Sequence, residues 1–246
     1  MEIADSSIPG DRVAITVFRD HLTEPAQIIE RLKPFEVICV VRERTSLRRP
    51  ILQHLPQLRL IASVTMRNAS IGMSAAKELG VIVCGTGTPP QGAPVLTWTL
   101  ILALVRNLPL DLASVRDGRW HVKLGEDLKA KTLGVLGLGK IGSTVASIAR
   151  VFGMNVIAWS QNLTQPLADE RGTRLVTREG LFRTADILTI HMTLSDRSKG
   201  IVGAAELTLM KQSAYLVNTS RGPLVDERAL IGALRKGRIA GAALDV

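Results

Sequence analysis

Aromatic side chains are scarce in this 246-residue chain, at 3% of all residues. A surface that stacks the bases of single-stranded nucleic acid needs such rings, so composition speaks against that class. Cysteine is scarcer still. Cys39 and Cys84 form no CxxC pair and no Cys/His cluster, so no zinc site is expected. Both close apolar, strand-like runs and are expected as buried, reduced thiols, in keeping with a cytoplasmic protein. Long apolar runs are missing too. The longest, Val95 to Val105, is interrupted by Thr97 and Thr99 and is too short to cross a bilayer. No membrane association is expected. The opening MEIADSSIPGDR is polar and acidic, unlike a secretory leader.

Positive charge is plentiful. The chain holds 31 basic and 22 acidic residues, a net charge of +9. The bases are scattered, and the densest cluster, between Arg42 and Arg49, is short and broken by Glu43. Such a pattern gives no stripe for nucleic acid, which is not expected as a partner. A diffuse positive field suits a small anionic substrate and a phosphate-bearing cofactor.

Strand-like and helix-like segments alternate from end to end. Val13–Val17 reads as a short strand, and Ile28, Ile29 and Leu32 follow at helical spacing. Val37–Val41 is a continuous apolar run of the kind buried on both faces of a parallel sheet. Leu60–Val64 and Val81–Cys84 repeat it, with a short helix from Ser74 to Leu79 closed by Gly80. The loop from Gly85 to Gly92 is rich in Gly, Thr and Pro and is the best boundary signal. Thr97–Arg116 then has helical periodicity broken at Pro109. Strands follow at Thr132–Leu136, Val156–Trp159, Asp186–Ile190 and Tyr215–Val217. A helix spans Ile141–Phe152, and another runs from an Asp226 cap to Lys236, ended by Gly237. Ala240–Val246 begins a last strand. Alternation over this length predicts an α/β protein with parallel, doubly wound sheets.

The chemistry concentrates at Gly137-Leu138-Gly139-Lys140-Ile141-Gly142. Alone, GxGxxG is a weak signal. Here a strand precedes it, a helix opens at it and a further strand follows. Gly137 permits the tight turn, Gly139 lets the backbone approach a pyrophosphate, and Gly142 lets helix and strand pack closely. The helix mouth, with Lys140 and Ile141, offers amide N–H groups to the diphosphate. About twenty residues on, an NAD site usually places an acid on the ribose hydroxyls. This chain has Trp159-Ser160-Gln161-Asn162 there. Ser160 neither attracts the ribose as a carboxylate would nor repels a 2′-phosphate, and no Arg follows it directly. NAD and NADP both stay open.

A second set of residues is more specific. Asn218-Thr219-Ser220-Arg221-Gly222-Pro223-Leu224-Val225-Asp226 follows a buried strand, and Ala240-Gly241-Ala242-Ala243-Leu244-Asp245-Val246 ends the sequence. With the glycine loop, these segments resemble the D-isomer-specific 2-hydroxyacid dehydrogenases. The resemblance is strong from about Gly118 onward and looser before it. It implies two Rossmann-like domains: an incomplete substrate domain over residues 1–96 and an NAD(P)-binding domain over 97–246. It implies hydride transfer between a D-2-hydroxy acid and a 2-oxo acid, and a homodimer. Arg221 matches the family's catalytic arginine. A guanidinium can bond both the carboxylate and the carbonyl oxygen of a 2-oxo acid and stabilise charge developing there. Asp245, Thr219, and Met192 with Thr193 match cofactor-lining positions. His191 ends a strand and is not expected as the catalytic base.

Some residues depart from the family. Val64, Thr65 and Met66 stand where relatives carry a glycine-rich substrate-binding loop, and Thr65 brings a Cβ to a position usually held by glycine. By the same resemblance, the sequence stops before the family's Glu and His. A positioned base normally contributes about 10²–10⁴ in rate, so impaired turnover is expected. A non-catalytic dinucleotide-binding regulator or pseudoenzyme is the alternative.

Overall fold

A computed structural model of the chain describes residues 13–41, 43–65, 68–87, 92–120 and 123–246. The chain divides into two compact units, Met1–Thr88 and Pro89–Val246. The resemblance had placed the division at 96/97.

In the first unit, three parallel strands pair in the order β1 (Val37–Val40), β2 (Leu60–Ser63), β3 (Ile82–Gly85). Their connections carry α2 (Arg49–Leu52) and α3 (Met73–Glu78), and α1 (Pro25–Leu32) precedes them. Ile28 and Leu32 of α1, Ile51 and Leu52 of α2, and Ala75 and Ala76 of α3 share one core cluster with Ile38, Val40 and Ile61 of the strands. Gly80 ends α3 with φ +73°, a conformation that favours glycine.

Three expectations fail in this unit. Val13–Val17 is not a strand, and its valines and isoleucine are exposed. The run is β-prone in composition, but propensity without a paired neighbour does not make a strand. β1 is also not buried on both faces. Its residues alternate exposed and buried. Strand register puts Val37, Leu60 and Ile82 in one row and Cys39, Ala62 and Cys84 in the next. Val37 is 49% and Ile82 67% exposed. Cys39 and Cys84, expected as buried thiols, are both exposed on that face. The helices pack against the other face, so an apolar sequence found cover on one side only.

The second unit opens with α4 (Gly92–Val105) and α5 (Leu108–Arg116), which meet near Asn107 at φ +52°. It then alternates β4 (Thr132–Leu136), α6 (Lys140–Val151), β5 (Asn155–Trp159), α7 (Gln165–Glu170), β6 (Arg174–Leu175), α8 (Arg178–Thr184) and β7 (Ile187–Ile190). After these come α9 (Ala204–Leu209), β8 (Tyr215–Asn218), α10 (Glu227–Arg235) and β9 (Gly241–Leu244). All six strands are parallel, in the order β6-β5-β4-β7-β8-β9. The chain winds outward one way from β4 and then, from β7, the other way. That is the doubly wound arrangement.

Here both faces are covered. Leu133 and Val135 of β4 pack with Trp98, Ile101 and Val105 of α4 and with Val145, Ala146 and Ala149 of α6. Leu136 points to the opposite cluster, with Leu181 and Phe182 of α8, Leu207 of α9 and Leu230 of α10. Each fully buried Leu, Ile or Phe stabilises the fold by about 1.5–3 kcal/mol relative to exposure. The caps are local. Thr177 Oγ1 accepts from Gly180 N at 3.0 Å at the start of α8, and Asp226 Oδ1 accepts from Ala229 N at 2.9 Å at the start of α10. Among the described residues no single helix is long and apolar enough to cross a membrane.

Candidate functional site

Parallel strands send every following loop to the same edge of the sheet. In the second unit the loops after β4, β5, β7, β8 and β9 carry Gly137–Gly142, Ser160, His191–Thr193, Thr219–Arg221 and Asp245 respectively. In open α/β sheets, ligands bind at the edge where the strands end, in the crevice where winding reverses. Winding reverses between β4 and β7.

Gly137 turns the chain at that crevice. Its φ is +102°, and its N–H donates to the Trp159 carbonyl at 2.9 Å. A Cβ on Gly137 would lie 2.7 Å from the His191 carbonyl oxygen and 2.9 Å from Met192 Cγ. The β4 and β7 loops therefore touch here. Gly142, in the first turn of α6, sits so close that a Cβ would be 2.2 Å from the Gly137 carbonyl oxygen. Gly139 is the opposite case: a Cβ there would meet nothing within 4 Å. Two glycines are required by protein packing, while the third borders open space at the mouth of α6. That is the cradle a diphosphate needs: backbone amides with room in front of them. Lys140 and Ile141 begin α6 at this mouth.

Ser160 lies just past β5 and accepts a hydrogen bond from Leu138 N at 3.1 Å. The carbonyl of the same Leu138 accepts from the Arg171 guanidinium. The Leu138 peptide is thus gripped from both sides by groups that enter from other segments. Beside it opens a cavity of about 730 Å³, lined by Trp159, Ser160, Gln161, Arg174, Val176 and Thr177 among others. The volume is in the range of small-molecule sites. Sequence reasoning missed Arg171 and Arg174. Neither stands in the GxGxxG or β5-end pattern, and only folding brings Arg171 to a peptide 33 residues earlier.

Arg221 follows β8 in a loop held by its neighbours. Asn218 Nδ2 donates to the Arg221 carbonyl at 2.9 Å, Asn218 Oδ1 accepts from Ser220 N at 3.0 Å, and Ser220 Oγ donates to the Ile190 carbonyl at 2.9 Å. The half-buried guanidinium donates to the Ser220 carbonyl at 2.8 Å. Thr219 Oγ1 lies 2.8 Å from Thr97 Oγ1, a fully buried hydroxyl of α4 that also donates to the Ala93 carbonyl at 2.8 Å. Thr97 was not among the expected site residues. Its position inside an apolar helix gave no signal. Asp245 is exposed, and its N–H donates to the Asn218 carbonyl at 3.1 Å.

His191 Nε2 is 2.9 Å from Thr189 Oγ1, and its buried Nδ1 has no hydrogen-bond partner. Burial pushes the imidazole pKa down from 6.5 to about 4. The ring is neutral at neutral pH and poorly placed to exchange protons. Met192 is half-buried and Thr193 exposed beyond it.

In the first unit, Val64 is exposed and Thr65 N donates to Ser63 Oγ at 3.4 Å. Met66 lies outside the described residues. Among the described residues no group of His, Cys, Asp and Glu is placed to hold a metal.

Fold and site together define a doubly wound, dinucleotide-binding protein. The chain belongs to the D-isomer specific 2-hydroxyacid dehydrogenase family: the family's NAD binding domain matches residues 98–246 and its catalytic domain residues 3–93. Glyoxylate reductase of Aeropyrum pernix is 41% identical over 206 residues, which are 80% of this chain and 62% of that protein. The chain thus spans less than two thirds of this relative. The crystal structure of phosphoglycerate oxidoreductase from Vibrio cholerae superposes with a TM-score of 0.85 at 36% identity, covering 94% of this chain and 75% of the other. D-Lactate dehydrogenase of Aquifex aeolicus, solved with NAD and lactic acid, gives 0.79 at 29% identity, covering 89% and 66%.

Proposed function

We propose that this chain carries the cofactor-binding and arginine-bearing part of an NAD(P)-dependent D-2-hydroxyacid dehydrogenase, interconverting a 2-hydroxy acid and a 2-oxo acid. The observation that carries this reading is the open space in front of Gly139, at the mouth of α6, on the sheet edge that also bears Arg221. A nicotinamide, when bound, would supply the hydride in reduction and accept it in oxidation. The chain's own residues do the rest. Amides of the Gly137–Gly142 loop hold the diphosphate, and Ser160 meets the adenosine ribose. Met192, Thr193, Thr219 and Asp245 line the nicotinamide end. Arg221 binds the substrate carboxylate and carbonyl oxygen and stabilises the charge that gathers on that oxygen as hydride arrives.

His191 does not serve as the base: burial lowers its pKa to about 4, which makes it a weak proton acceptor, and its Nε2 is held against Thr189. A homodimer is supported by exposed Leu108, Leu112 and Val115, which share one side of α5 and form an apolar strip that association would cover. The free cysteines suit a reducing, cytoplasmic setting.

The experiment is a titration with NADH and NADPH followed by tryptophan fluorescence. Oxidation of the reduced cofactor is then measured with glyoxylate and hydroxypyruvate present. Cofactor quenches the fluorescence, and Arg221→Gln keeps cofactor affinity while losing the response to 2-oxo acid. Absence of cofactor binding at millimolar concentration overturns the reading.

A further inference from the structure

The end of β5 holds Ser160 where a dinucleotide site selective for NAD places a carboxylate. Among the described residues the adjoining cavity is lined by no Asp or Glu; its polar lining includes Ser160, Gln161, Gln165, Arg174 and Thr177. Three nearby carboxylates have partners, one of them the lining residue Gln165. Glu206 holds Arg178 at 3.0 Å, Glu179 holds Arg183 at 2.7 Å, and Asp169 accepts from Gln165 at 2.7 Å. Two cations stand near Ser160 by different routes. Arg174 is on the cavity wall, and the Arg171 guanidinium reaches Leu138, whose N–H is bonded to Ser160. A guanidinium has five N–H donors, and the bond to the Leu138 carbonyl uses one.

We propose that this site selects the 2′-phosphorylated dinucleotide, with Arg171 and Arg174 as partners of the phosphate and Ser160 as the residue that admits it. The inference rests on the dinucleotide reading above and specifies its cofactor. A phosphate monoester carries close to two negative charges at neutral pH. A carboxylate at position 160 would repel it, whereas a hydroxyl can donate to it. Two guanidiniums beside it make charge-assisted hydrogen bonds, stronger than neutral ones. NAD offers this pocket only ribose hydroxyls, and Ser160 and Gln161 answer them with neutral bonds alone. The positive charge would then go unmatched.

Arg171 has a competing role, as a tie that holds the glycine loop through Leu138. The two roles separate by a ratio. A tie supports every dinucleotide equally, and a phosphate partner supports only the phosphorylated one. Dissociation constants for NADPH and NADH are measured by tryptophan fluorescence on the whole chain, with 2′,5′-ADP and 5′-AMP as competing fragments. We expect NADPH to bind about 10- to 100-fold more tightly than NADH, from one or two added charge-assisted bonds. 2′,5′-ADP then competes better than 5′-AMP. Arg171→Gln and Arg174→Gln each lower the NADPH-to-NADH preference, and Ser160→Asp reverses it. Equal or tighter binding of NADH by the wild-type chain overturns the proposal and leaves the dinucleotide reading intact. So does an unchanged preference in both arginine variants. Failure of both dinucleotides to bind overturns the two together.

Discussion

Two glycines of the same loop should respond oppositely to the same methyl group. At Gly142 an added Cβ falls 2.2 Å from the Gly137 carbonyl oxygen and 3.1 Å from Val135 Cγ1. The first contact is to backbone and cannot be relieved by a rotamer change, so α6 must move away from β4. Overpacking of this kind costs about 1–3 kcal/mol, which lowers Tm by about 2–12 °C in a protein of this size. At Gly139 the same Cβ meets nothing within 4 Å, and the backbone is extended at φ −83°. Gly139→Ala is therefore expected to leave stability unchanged or raise it by about 0.4–1 kcal/mol, because alanine loses less freedom on folding. Its penalty falls on the ligand. The methyl occupies the space in front of the amides, and losing one or more charge-assisted bonds to the diphosphate costs about 10- to 100-fold in affinity. Thermal unfolding and cofactor titration on the same preparations test both halves. A folded Gly139→Ala that binds cofactor like the wild type would refute the reasoning, as would a Gly142→Ala of undiminished stability.

Other expectations follow from single residues. His191 has a folded pKa of about 4, below its ordinary 6.5. The unfolded state therefore takes up the proton first. Stability is full above about pH 6.5, declines as pH falls through that window, and levels off below about 4, by at most about 3 kcal/mol. Urea unfolding across this range should show a flatter dependence for His191→Asn; an identical slope contradicts the assignment. Cys39 and Cys84 are exposed, so both should react with a thiol reagent in the native protein at rates close to those of the unfolded chain. Strong native protection of either would show that its strand face is covered. Asp226→Ala removes the acceptor for Ala229 N and should cost about 1 kcal/mol, read as a lower urea midpoint.

The second unit was legible because its signals are local. The buried runs of β4, β5, β7 and β8, the glycine loop and the Asp226 cap are each written within a few consecutive residues. The short β6, Arg174–Leu175, left no periodicity to read and emerged only from pairing with β5. The first unit misled for a different reason. An apolar run announces that burial is favourable, but whether both faces of the strand find partners depends on packing far away in sequence. Hence the exposed Cys39, Cys84, Val37 and Ile82. The site divides the same way. Ser160 could be placed by counting from the glycines, whereas Arg171, Arg174 and the Thr97–Thr219 hydroxyl pair meet their neighbours only through tertiary structure.

Amide hydrogen exchange with and without reduced cofactor would probe the glycine loop itself. Saturating NADPH should slow exchange at Leu138 to Gly142 and around Ser160, with the far ends of the strands unchanged. Protection elsewhere, with the mouth of α6 exchanging as freely as before, would mean that the nucleotide does not sit there.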